Sequence, residues 1–128
     1  MVLESYENPI NTFKSNVNGT LNLLEAVRTN LSKCVVICIT TDKVYENNES
    51  SMAFAEHDKL CGYDPYSASK AMCELLVDSY RKSFFNVDDY RKLHEIQIAT
   101  CRAGNVIGGG DFSKYRIIVD IVNALYSG

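Results

Sequence analysis

Cys34-Val-Val-Ile-Cys-Ile-Thr40 is the stretch that decides the fold. It is short, continuous and rich in β-branched residues, with no alternation of apolar and polar positions. Such a run predicts a strand buried on both faces, as strands of parallel sheets are. Glu95-Ile-Gln-Ile-Ala-Thr-Cys101 reads as a second strand. Between them, Asp64-Pro65 combines an N-cap residue with a proline at the first helical position and opens a helix over 66–85. Its inner side is expected to carry Ala71, Leu75, Leu76, Ser79 and Phe84.

The same device, Asn8-Pro9, opens the helix that precedes the first strand. Apolar residues at Ile10, Phe13, Val17, Leu21, Leu24, Val27 and Leu31 keep the three-and-four spacing of an amphipathic helix. Gly19 interrupts that helix at a cost of about 1 kcal/mol, which predicts a close neighbour there. Residues 116–126 read as a third helix, giving the order α-β-α-β-α. Strands separated by helices imply parallel pairing, so the fold class is α/β, one part of a doubly wound Rossmann-like sheet. Two such strands leave both sheet edges unpaired, which predicts further strands beside them.

The 128 residues are 46% hydrophobic, enough for a core and too many for a disordered tail. Thirteen Lys and Arg against sixteen Asp and Glu give a net charge of −3, which argues against a nucleic-acid partner. No apolar run approaches the length of a membrane span, which argues against a membrane partner. Five cysteines at irregular spacing, with no CxxC or Cys/His cluster, point to reduced thiols in a cytoplasm and to no metal site.

Three segments carry possible chemistry. Tyr66-Ser-Ala-Ser-Lys70 sets a phenol and an ammonium one helical turn apart on one face. A neighbouring positive charge favours the phenolate, and a phenol so tuned takes a proton from a sugar hydroxyl while a hydride leaves the carbon. The spacing also occurs by chance in helices with no such role. Thr40-Thr41-Asp42-Lys43-Val44-Tyr45 stands at the carboxyl end of the first strand, where open α/β sheets place reacting groups, and its hydroxyl, carboxylate and amine could face one pocket. A strand end that merely caps its own backbone is the equal alternative. Gly104-Asn-Val-Ile-Gly-Gly-Gly-Asp111 follows the second strand and does not fit GxGxxG, because Ser113 occupies the last required glycine position. Its glycines would admit a ligand close to the backbone or form a plain turn. Asn105 there is the residue of interest. The polar loop over 42–62 is long enough to be functional or mobile. His57 and His94 lie in polar segments and are expected at the surface.

Taken together, these segments resemble the extended short-chain dehydrogenase/reductase family, and within it the nucleotide-sugar 4,6-dehydratases. The matching stretches are Asn8-Pro9, Asn16-Val-Asn-Gly-Thr-Leu-Asn-Leu-Leu-Glu-Ala-Val27, Thr41-Asp-Lys-Val-Tyr45, Asp64-Pro-Tyr-Ser-Ala-Ser-Lys70 and Arg102-Ala-Gly-Asn-Val-Ile-Gly-Gly-Gly-Asp111. Asp42-Lys43, Glu46-Asn47 and the glycine turn resemble the branch acting on CDP-glucose. Ser50 and Met52 stand where that branch carries Trp, and Phe112 replaces another.

The resemblance implies NAD as cofactor and a nucleotide sugar, CDP-glucose, as substrate. It implies Tyr66 as base, Asp42 as proton donor to a departing hydroxyl, and Thr41 as hydrogen-bond partner of the sugar 4-oxygen. Lys70 would bind the nicotinamide ribose together with Tyr66, Asn105 would lie against the nucleotide sugar, Arg116 would help hold it, and Asn16 would brace the site. Lys43 would stabilise an enolate, or act as base if burial strips its proton. A homodimer through helices 9–30 and 65–85 is also implied. The family's glycine-rich N-terminal unit and most of its C-terminal substrate region have no counterpart here. The expectation is therefore the central part of an NAD-binding Rossmann-like domain, inactive alone. An extended short-chain epimerase or reductase, or a noncatalytic dimerisation remnant, is the alternative.

Overall fold

In register, Lys33 faces Glu95 and Thr41 faces Ala103 along two parallel strands, β1 (Lys33–Thr41) and β2 (Glu95–Ala103). The structure is a computed structural model that describes residues 2–49 and 51–127. Ahead of β1 lie α1 (Val2–Glu7), α2 (Pro9–Phe13), a π-helical turn (Lys14–Asn18) and α3 (Gly19–Asn30). A 3₁₀ turn (Asp42–Val44) follows β1, and α4 (Pro65–Ser83) makes the crossover to β2. The last element is α5 (Ile117–Ser127).

Both cap-then-proline helix starts form. Asn8 Oδ1 accepts from the Asn11 N–H at 3.1 Å, and Asp64 Oδ1 accepts from the Ser67 N–H at 3.0 Å. Each such cap satisfies an otherwise orphaned donor and is worth about 1 kcal/mol. The helix read over 9–31 is real but widened by the π turn, and α1 is a separate helix that the periodicity did not show. Six residues are too few to reveal an amphipathic period.

The core joins Leu24 and Val27 of α3, Val77 and Tyr80 of α4, Phe85, and Ile96 and Ile98 of β2. Cys34, Val36 and Cys38 pack against it from alternate positions of β1. The intervening Val35, Ile37 and Ile39 are 69, 56 and 59% exposed, so the expected burial of both faces is corrected. Successive strand side chains point to opposite faces, and among the described residues α4 covers one of them, with Leu24 and Val27 of α3 in the same core cluster. The inner side read for α4 is also corrected. Ala71 is buried, but Leu75 and Phe84 are exposed, while Ser67, Ser69, Cys73, Glu74, Val77 and Tyr80 form the buried stripe. Small and polar residues there find hydrogen-bond partners, which apolarity alone does not reveal.

Gly19 adopts ordinary helical angles, and a Cβ added there meets nothing within 4 Å, so the expected close neighbour is absent. The glycine under constraint is Gly62, at φ +91°, where a Cβ would fall 2.5 Å from the Ala68 nitrogen. His94 is half-buried rather than exposed. Its Nδ1 accepts from the Ile96 N–H at 3.2 Å, and its ring lies edge-on to Phe85. His57 is exposed, as expected. No helix among the described residues is long and apolar enough to cross a membrane.

Candidate active site

The two strands end level with each other, and their carboxyl ends open a cleft of about 360 Å³. Thr41 and Lys43 reach it from the end of β1, Tyr66 and Lys70 from the first turns of α4, and Asn105 and Arg116 from the segment after β2. Parallel pairing brings both strand exits to one end of the sheet, and the crossover helix starts beside them.

Tyr66 is fixed through its backbone at both ends. Its N–H donates to Ser5 Oγ at 3.2 Å, and its carbonyl accepts from Ser69 Oγ at 2.7 Å. Ser69 in turn accepts from Asn16 Nδ2 at 2.9 Å. Asn16 sits in the π turn, and its own carbonyl accepts from Thr20 Oγ1 at 2.7 Å and Cys73 Sγ at 3.3 Å. A π turn loosens the regular ladder, and here the loosened carbonyl is tied to α4. One turn after Tyr66, the Lys70 ammonium donates to the Ile39 carbonyl at 3.1 Å, which holds the lysine head at the strand end.

Thr41, Asp42 and Lys43 do two things at once. The Thr41 hydroxyl accepts from the Lys43 N–H at 3.4 Å and donates to Asp42 Oδ1 at 3.0 Å, so the local capping alternative is present. Thr41 nevertheless lines the cleft and is buried. Asp42 is not among the lining residues. Its Oδ1 also accepts from Lys43 Nζ at 3.2 Å, and its Oδ2 lies 3.6 Å from where a Gly104 Cβ would stand. A Cβ at Gly104 would meet that oxygen at ordinary contact distance. Gly108, Gly109 and Gly110 have nothing within 4 Å of an added Cβ, which fits a plain turn. At the far rim, the Arg116 Nε pairs with Asp111 Oδ2 at 2.9 Å. The Ser113 hydroxyl and backbone N–H, together with this guanidinium, hold the Asp111 carboxyl below its usual range.

A model of the GDP-mannose 4,6 dehydratase family matches residues 1–88. The chain belongs to that family. Over 124 residues it is 46% identical to a CDP-glucose 4,6-dehydratase of Salmonella typhimurium, covering 97% of this chain and 34% of that protein. Among solved structures, a dTDP-glucose 4,6-dehydratase double mutant from Streptomyces venezuelae, with NAD and DAU bound, superposes at TM-score 0.78 with 26% identity. That match covers all of this chain and 36% of the other. A UDP-N-acetylglucosamine 4-epimerase from Methanobrevibacter ruminantium, in complex with UDP-N-acetylmuramic acid, superposes at 0.77 with 26% identity over all of this chain and 38% of its own. The chain thus spans about a third of the length of the proteins it matches.

For this dehydratase-family chain, sequence reasoning missed several cleft residues. Val2 and Leu3 of α1 and Tyr115 also line the opening, beside Thr40 of the strand-end segment already singled out. No local signal marked these three, because α1 and Tyr115 are brought in only by folding. Behind the cleft wall, a buried Glu74 pairs with Arg102 at 3.0 Å. Burial alone would raise the Glu74 pKa, but hydrogen bonds from Arg102, Thr40 and Thr100 outweigh it and lower it. Met52 and Phe112 are exposed and do not line the cleft, while Ser50 lies outside the described residues.

Proposed function

We propose that the chain supplies the central part of an NAD-binding Rossmann-like domain in a nucleotide-sugar 4,6-dehydratase acting on CDP-glucose, a lyase of the cytoplasm. The observation that carries this reading is the convergence of Tyr66, Lys70, Thr41, Lys43, Asn105 and Arg116 on one cleft at the strand ends. The identity to the Salmonella protein supports the choice of substrate.

The residues present fit a nicotinamide ribose. A lysine ammonium carries three donors, and the Ile39 carbonyl takes one. Bound NAD would supply a hydride acceptor that later gives the hydride back. Tyr66 takes the proton of the sugar 4-hydroxyl as the C4 hydrogen leaves, and Thr41 hydrogen-bonds the 4-oxygen. The resulting 4-ketone acidifies the C5 proton, which a solvent water accepts as the enolate forms and which a solvent proton replaces when hydride is returned to C6. Asp42 gives a proton to the departing C6 hydroxyl, which leaves as water. Hydride returned to C6 completes a 4-keto-6-deoxy sugar. Lys43 is half-exposed and paired with Asp42, which supports the enolate-stabilising role over the buried-base role. Asn105 and Arg116 orient the nucleotide sugar.

A homodimer through helices 9–30 and 65–85 belongs to the same reading. A shallow apolar groove between Pro9, Ile10, Phe13, Val17 and Met72 supports it, and Ile10 is 69% exposed. Sedimentation at rising concentration tests this pairing.

The function is tested by seating the 128 residues in place of the matching third of the Salmonella protein and supplying NAD with CDP-glucose deuterated at C4. The expected product has lost one water and carries the deuterium at C6. A product of unchanged mass with inverted stereochemistry favours the epimerase reading. A folded chimaera that binds NAD without turnover favours the noncatalytic one.

A further inference from the structure

Glu74 stands one helical turn beyond Lys70 on α4, is 4% exposed, and reaches the strands at Thr40 and Thr100. Its carboxylate gathers three donors. Thr40 Oγ1 bonds to Oε1, while Thr100 Oγ1 at 2.8 Å and Arg102 Nη2 at 3.0 Å bond to Oε2. The Arg102 guanidinium then reaches further. Its Nη1 donates to the Tyr45 hydroxyl at 2.9 Å and to the Glu56 carbonyl at 2.9 Å. It also lies over the Tyr45 ring, 4.9 Å from the centroid, and that ring stacks on Phe54 at 4.7 Å.

Several of these contacts land on segments that carry a cleft residue. Thr40 directly precedes Thr41, and Tyr45 follows Lys43 by two positions. Arg102 precedes Asn105 by three, and Glu74 shares its helix with Tyr66 and Lys70. The loop between Tyr45 and Leu60 is closed at its neck by a bridge between those two residues, and Arg102 holds its far side through Glu56. A buried ion pair is a poor way to gain stability, because desolvation offsets most of the attraction and apolar residues would fill the space as well. What it gives instead is fixed, directional geometry among the groups it joins.

We propose that Glu74 and Arg102 are positioning residues: their buried pair fixes the strand end bearing Thr41, Asp42 and Lys43 and the turn bearing Asn105 relative to Tyr66 on α4. The proposal deepens the dehydratase reading and rests on it for its functional meaning. Its test needs no substrate, so a failure of turnover, which would sink that reading, leaves this one to be decided separately.

The experiment compares the 128-residue chain with its Glu74→Gln and Tyr45→Phe variants by backbone amide chemical shift and hydrogen exchange. Glu74→Gln keeps the shape and removes the charge. Tyr45→Phe keeps the ring stack, removes one hydroxyl, and remains informative should the first variant fail to fold. The expected result is displaced amide resonances at Thr41, Lys43 and Asn105, with those of Leu24 and Val27 in place. Exchange in the loop over 46–60 is expected to rise about tenfold or more while the core keeps its protection. A role confined to stability would speed exchange everywhere alike and leave the folded-state shifts unmoved, and that result overturns the proposal.

Discussion

The Asn16 side-chain amide donates to the Ser69 hydroxyl at 2.9 Å, joining the π turn to the first turns of α4 across 53 positions of sequence. Ser69 passes that bond on to the Tyr66 carbonyl, so the backbone of Tyr66 is anchored through a residue that does not line the cleft. Asn16→Ala is expected to cost about 1 kcal/mol of stability, because buried Ser69 loses a donor and keeps its desolvation. Urea unfolding measures this, and a double-mutant cycle with Ser69→Ala should recover most of the loss as coupling.

Tyr66→Phe separates chemistry from folding. Tyr66 lines the cleft, whereas its backbone bonds to Ser5 and Ser69 survive the substitution. In the chimaera used to test function, kcat is expected to fall about 10²–10⁴-fold, the range of a lost general base. The urea midpoint should remain close to that of the unsubstituted protein.

Gly62→Ala is expected to be severely destabilising. The added Cβ would stand 2.5 Å from the Ala68 nitrogen and 2.6 Å from the Ser67 carbonyl carbon, both backbone atoms, at a φ of +91°. Neither the loop nor α4 yields easily there, and a loss of about 2 kcal/mol or more is anticipated. Thermal melts of the purified variant decide it.

Gly19→Ala should do the opposite. The position is helical and the new methyl meets nothing within 4 Å, so the gain is the propensity difference of about 0.5–1 kcal/mol. A lowered melting temperature would show that this surface is in contact with something the monomer does not contain.

Acid sensitivity has a named contributor in Glu25. Hydrogen bonds from Arg28 Nε and Nη2, and from the Tyr80 hydroxyl, lower its pKa to about 2 from an ordinary 4.5. The unfolded chain therefore binds the proton more readily. Stability from this group is present above pH 4.5 and drains away as pH falls toward 2. Glu25→Gln should flatten part of the decline in urea midpoint between those pH values. Glu74, Asp78, Glu95 and Asp111 are also lowered and add to the decline in the same direction.

Much of this molecule was written locally. The two Asn-Pro and Asp-Pro starts, the β-branched run of β1, and the placement of Thr41 and Asn105 at strand exits follow from dihedral preference and hydrogen-bond chemistry within a few residues. Less legible was burial. Leu75 and Phe84 look like core and are exposed, whereas Glu74 and Ser69 look like surface and are buried. Hydropathy ranks residues by their transfer to oil, and these two enter the interior because specific partners await them there.

The sequence by itself determined the α/β order, the caps, and the tyrosine–lysine pair spaced one turn apart. Only the tertiary structure decided that Thr41, Lys43, Asn105 and Arg116 meet that pair in one cleft, and that Glu74, Arg102 and Asn16 stand behind it. The physical reason is range. Dihedral preferences and capping act over a turn or two of chain, while a cleft and the network behind it exist only once parallel pairing has brought both strand exits to the same end of the sheet.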